Sequence, residues 1–259
     1  MTMGKGGVGK TAMATLLALE LAQRGHRVHL STTDPAGHVT LTESVPHITV
    51  SRIDPVVETE QYVTQTLERS RNRLSPDDLA LLEEELRSPC IEEIAVFQAF
   101  ARTVAQGDAQ FVVLDTAPTG HTLLLLDATE AYHREVAKSA GDLPDEVKQL
   151  LPRLRDPNFT RVLIVALPEP TPTQEAAALQ QELQRAQIEP YGWIINRSFA
   201  MSGSRDALLC AKGLHEIPYI QRIVTDLASQ AVLCPWIPRA LARPQDFDAL
   251  LGTDAMMSA

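Results

Sequence analysis

Short apolar runs alternate along the chain with longer stretches rich in Ala, Leu, Glu and Gln. Residues 28–34 (VHLSTTD), 48–54 (ITVSRID), 111–115 (FVVLD), 161–167 (RVLIVAL), 192–196 (GWIIN) and 231–237 (AVLCPWI) read as strands. Most are continuously apolar, the mark of strands covered on both faces. Between them, residues 11–24 form an Ala/Leu-rich helical run that stops at Gly25. Residues 58–106 are helical with acidic clusters, broken at Ser88-Pro89, where a hydroxyl caps and proline suits a first turn. Further helices are expected at 119–126 and 131–151, and the tail at 250–259 is expected to fray. Strand–helix alternation of this kind predicts an α/β fold, a doubly wound and mostly parallel sheet with helices on both faces. With no repeat and no low-complexity linker, residues 1–259 are expected to form one domain, carrying a helical insertion at about 57–106.

Composition narrows the function classes. The chain has 259 residues, a net charge of −10 and 5% aromatics, which disfavours nucleic acid and anionic membranes as partners. No apolar run approaches the ~20 residues that span a bilayer, and no signal-peptide layout opens the chain. Cys90, Cys210 and Cys234 are far apart and odd in number, so a disulfide framework is not expected. A cytosolic, reduced setting follows.

The chemistry concentrates in GKGGVGKT, residues 4–11. Its spacing is that of a phosphate loop, G-x-x-x-x-G-K-[ST], followed by a helical run. The run of Gly4, Lys5, Gly6, Gly7, Val8 and Gly9 offers backbone N–H groups to a phosphate, and the following helix turns its positive end toward the anion. Lys10 is placed to reach β/γ oxygens and the Thr11 hydroxyl to ligate Mg²⁺. Asp115, ending an apolar strand, is the second magnesium candidate; Asp34, ending another, is a candidate to orient an attacking water. Asn196, at the end of GWIIN, is a candidate for the adenine edge. Lys5 is a second lysine early in the loop, the pattern of the deviant Walker A (SIMIBI-type) P-loop NTPases. In that group this lysine crosses a dimer interface and acts much as an arginine finger does.

GKGGVGKT, STTDPAGH and DTAPTGHTLLLLDATEAYHRE together resemble the arsenical pump-driving ATPase family over nearly the whole chain. The resemblance implies that Lys5, Lys10 and Thr11 serve ATP, that Asp34 is the water-activating switch residue, and that Asp115 is the Walker B carboxylate. It also places the family's adenine-binding Asn on Asn196. RSPCIEEIAVFQAF and EAYHRE resemble the C-terminal half of the double-length protein. On that likeness Cys90 and His133 form part of an arsenite or antimonite site, a soft metalloid suiting thiolate. Alone, Cys90 reads as a small buried hydrophobe and His133 as a solvated helix residue.

The departures also count. This chain has room for one of the two halves, and Cys210 and Cys234 match no ligand position. The C-x-x-C zinc clamp of the related tail-anchored-protein targeting ATPases is absent from the sequence. The expectation is ATP hydrolysis driving arsenite/antimonite efflux, with a homodimer or a homologous half completing the site. The implied partners are a membrane pump subunit, which would hold the chain at the inner face of the cell membrane, and an arsenite-delivering metallochaperone. ATP-dependent targeting of membrane-protein clients, or an inactive fragment of a longer ATPase, are the alternatives. Only Met1, Thr2 and Met3 precede the loop, so its supporting strand is expected to be short and the loop mobile.

Overall fold

The computed structural model describes residues 1–33, 45–71, 73–88, 90–116, 144–238 and 256–258. Eight strands form one sheet: β1 (Thr2–Met3), β2 (Val28–Thr32), β3 (Ile48–Arg52), β4 (Phe111–Asp115), β5 (Val162–Ala166), β6 (Pro190–Ser198), β7 (Gln230–Pro235) and β8 (Met256–Ser258). Their spatial order is β3-β2-β4-β1-β5-β6-β7-β8; the first seven strands run parallel and β8 joins antiparallel to β7. The chain leaves β1 toward β2 and β3 on one side and leaves β4 toward β5, β6 and β7 on the other, so the crevice at the C-terminal ends of β1 and β4 is the switch point of a doubly wound sheet.

Seven helices are described: α1 (Lys10–Gln23), α2 (Pro55–Ser70), α3 (Pro76–Glu85), α4 (Cys90–Ala105), α5 (Asp145–Arg155), α6 (Pro170–Arg185) and α7 (Ala207–Arg222). They cover both faces. Ala14, Ala18 and Ala22, spaced four apart on α1, let that helix lie close against Val28, Leu30 and Val113. Its Leu16 and Leu19 meet Val165 and Ile194. On the opposite face Phe97 and Phe100 of α4, Leu150 and Leu154 of α5, and Leu179 and Leu183 of α6 pack on Leu114, Ile164, Trp193 and Ile195. Ile164 and Val165, like Trp193 and Ile194, go to opposite faces, as the two-residue period of a strand requires. Trp193 satisfies its buried indole by donating to Gln180 at 2.7 Å.

The structure differs from the sequence reading in three places. The helical stretch after β3 has two breaks: besides Ser88, Ser75 caps α3 with Pro76 at its first position, the same Ser-Pro signature. Asp54 and Pro55 start α2 in the same manner, Asp54 accepting the Val56 N–H at 3.0 Å. Within the tail expected to fray, Met256–Ser258 pair along the edge of β7, and 250–255 lie outside the described residues. The strand expected at 192–196 extends to Ser198. The helices expected at 119–126 and over 131–143 lie outside the described residues.

Candidate active site

β1 delivers the chain into the phosphate loop, and α1 begins at Lys10. Two glycines make the path possible. Gly4 has φ +147 and a Cβ there would lie 2.2 Å from the Val165 carbonyl oxygen. Gly9, left-handed at φ +96, would drive a Cβ to 2.4 Å from Asn196 Nδ2. No side chain larger than hydrogen fits either place. Val8 is buried between them and anchors the loop in the core.

Lys10 is buried, and its Nζ donates to the Lys5 carbonyl at 3.1 Å, folding the ammonium across the loop. Thr11 Oγ1 donates to Asp115 Oδ2 at 2.7 Å, and Thr32 Oγ1 donates to the same oxygen at 3.1 Å. Asp115 is completely buried at the end of β4. A hydroxyl and a carboxylate at this junction are hard oxygen donors of the kind Mg²⁺ selects, so Thr11 and Asp115 would hold that ion. Thr116 Oγ1 donates to the Thr2 carbonyl at 2.9 Å, locking the end of β4 to the strand that feeds the loop.

Asn196 reaches the loop from β6. It is buried, donates Nδ2–H to the Val8 carbonyl at 2.8 Å, and accepts the Arg197 N–H at 2.9 Å. The structure therefore gathers Gly4–Thr11, Asp115 and Asn196 at one end of the sheet. Asp34 and His133 lie outside the described residues.

The thiols are dispersed. Cys90 is exposed as the first residue of α4, the first-turn position expected for it. The far end of α4 feeds β4 through the turn at Gln106–Asp108. Cys210 is exposed on α7 and donates to the Ser204 carbonyl at 3.2 Å. Cys234 is buried in β7, and burial pushes its thiol up to about 12. Among the described residues no group of three or more His, Cys, Asp and Glu side chains is placed to hold a metal ion. A cavity of about 550 Å³ lies at the other end of the sheet, against Arg27, Phe111 and Arg161, and takes in none of the phosphate loop.

The sequence profile described as anion-transporting ATPase matches residues 1–140, more than half the chain. The chain belongs to the anion-transporting ATPase family. Proteins named arsenical pump-driving ATPase from Acidiphilium multivorum and from Escherichia coli are each 52% identical over 237 residues, covering 91% of this chain. The chain spans 40% of the length of each of them. A protein named ATPase GET3A from Arabidopsis thaliana is 27% identical over 240 residues, covering 75% of this chain and 65% of that protein. The family assignment fits the loop, the helix it opens and the strand-end carboxylate.

Three site residues carry no signal in the sequence. Glu175 of α6 pairs with Lys5 at 2.8 Å, so in this structure the loop's first lysine is tied within its own chain. Arg197 leans over the loop toward the Gly7 carbonyl. Glu216 of α7 is a buried carboxylate just behind it. Such residues lie on elements distant in sequence and follow no motif spacing.

Proposed function

We propose that the chain is a Mg²⁺-dependent ATPase that powers export of arsenite or antimonite through a membrane pump subunit. The observation that carries the proposal is the Thr11–Asp115 pair beneath a lysine-bearing phosphate loop. In this reading the loop amides and Lys10 hold the β- and γ-phosphates, Asn196 meets the adenine edge, and Asp34 orients the attacking water. Mg²⁺, when bound, neutralises the charge that develops on the phosphates. Lys5 leaves Glu175 and reaches a nucleotide bound by a second copy or a homologous half. Cys90 and His133 contribute to the metalloid site, with further ligands supplied from beyond this half. The chain meets the membrane through the pump and receives its cargo from a metallochaperone. The names of the relatives from Acidiphilium multivorum and Escherichia coli support the cargo class.

The test is ATP hydrolysis with and without antimonite. Antimonite is expected to raise turnover, and Cys90→Ser to lower that stimulation. Equal stimulation of parent and Cys90→Ser would remove the metalloid role of Cys90. The competing reading, an ATPase that carries apolar clients, draws on Val56 and Val57 exposed on α2 and Leu81 exposed on α3. It predicts co-purified membrane-protein segments released by ATP and no response to antimonite.

A further inference from the structure

β6 does not run straight into the site. Ile195 pairs with Leu233 and Ser198 with Pro235, so two residues of β6, Asn196 and Arg197, stand opposite the single residue Cys234 of β7. That is a β-bulge, a device that re-aims side chains next to functional sites. In a regular strand Asn196 and Arg197 would point to opposite faces. Here both address the phosphate loop: Asn196 bonds the Val8 carbonyl, and Arg197 Nη1 lies 3.4 Å from the Gly7 carbonyl. The Arg197 Nε lies 4.0 Å from where a Gly9 Cβ would stand, so the guanidinium spans the rim of the loop.

The backbone at Arg197 is left-handed, φ +57. Among the described residues two other non-glycines share this region: His47 in the turn before β3, and Gln187 where Ile188 N–H returns to Leu183 to close α6. Those are turn and helix-end positions that favour such backbone. Arg197 is in a strand, and it is held there from several sides. Asn196 Oδ1 accepts its N–H. The buried Glu216 carboxylate accepts the Ser198 hydroxyl at 2.8 Å and the Phe199 and Ala200 N–H groups at 3.1 Å each. Trp236 N–H donates to the Ser198 carbonyl at 2.8 Å. A strained residue that its surroundings over-determine at a ligand site points to a role for its side chain.

We propose that Arg197 is a nucleotide-binding residue whose guanidinium moves from the Gly7 carbonyl to the polyphosphate of ATP, and that Glu216 is the positioning residue that fixes the bulge. The proposal rests on the ATP reading of the loop. Its chemistry is that of a fixed guanidinium fork meeting phosphate oxygens across a loop that already presents N–H groups.

Arg197→Gly separates side chain from backbone, because glycine accepts φ +57 without strain. The variant is expected to melt no lower than the parent, yet to bind Mg·ATP roughly ten- to a hundredfold more weakly by calorimetry. Arg197→Asn, also tolerant of left-handed backbone, is expected to show the same loss. Arg197→Lys is expected to recover part of the affinity, since an ammonium keeps the charge but not the fork. Binding within twofold of the parent by Arg197→Gly or Arg197→Asn would overturn the proposal and leave the ATPase reading standing. A parent that binds no Mg·ATP would overturn both.

Discussion

At the C-terminal ends of β1, β4 and β6 the candidate side chains are tied to one another, and Lys10, Asp115 and Asn196 are buried. Thr11 and Thr32 converge on Asp115, Thr116 binds back to β1, and Asn196 braces Val8. Along α2 and α3 the picture reverses: neither helix buries a single residue, and Val56, Val57 and Leu81 face outward. That limb is attached through α4, which turns Phe97 and Phe100 into the core and leaves Cys90 exposed at its head. The contrast separates two tasks. Phosphate chemistry needs groups fixed before the ligand arrives, which hydrogen-bonded and buried side chains supply. A surface that meets a cargo or a partner can be held at one helix and left adaptable elsewhere.

Thiol labelling probes the contrast with the largest effect. With its pKa raised from 9.0 to about 12 by burial, Cys234 holds almost no thiolate at pH 8. Exposed Cys90 and Cys210 are expected to label on the order of a thousandfold faster, with the third label entering only on unfolding. Three labels entering native protein together would contradict the burial. The sign of the linkage is fixed as well. The unfolded thiol ionises near 9.0 and the folded one near 12, so this group makes the fold lose stability as pH climbs through that window.

Next comes stability. Leu179→Ala empties a site 2% exposed beneath the sheet and is expected to cost about 2–5 kcal/mol in urea unfolding. Leu81→Ala on α3, at a site 61% exposed, is expected to change stability by less than about 0.5 kcal/mol. Similar losses would mean that α3 is packed against something in solution. Asp115→Asn is expected to weaken the magnesium dependence of turnover about 10- to 100-fold, read as a shifted Mg²⁺ titration. An unmoved titration would remove Asp115 from the ion site. The smallest expected effect is at Glu175, whose pair with Lys5 is half exposed. Glu175→Gln is expected to raise turnover by no more than about fivefold, and a drop would show that Glu175 assists the lysine.

The nucleotide end was legible because its chemistry is local in sequence. A phosphate loop must have those glycines, Lys10 and Thr11 at that spacing, and an apolar run closing on Asp115 can hardly be anything but a central strand. The parallel sheet could be anticipated from its central strands, since most of them are continuously apolar. What could not be read depends on contacts between elements far apart. The β6 bulge lies where Glu216 of α7 captures the Ser198 hydroxyl and the Phe199 and Ala200 N–H groups. Nothing in the residues of β6 announces it. Likewise the pairing of β8 with β7 is decided by an available sheet edge, not by the propensity of Met256–Ser258. The break before α3 is carried by Ser75-Pro76, the same local signature as Ser88-Pro89.

Calorimetric titration of the intact chain shows whether this loop binds Mg·ATP. Saturable one-site binding is expected, and Lys10→Ala is expected to abolish it while still unfolding cooperatively. A parent that shows no binding heat, or a well-folded Lys10→Ala protein that binds Mg·ATP as tightly as the parent, would contradict it.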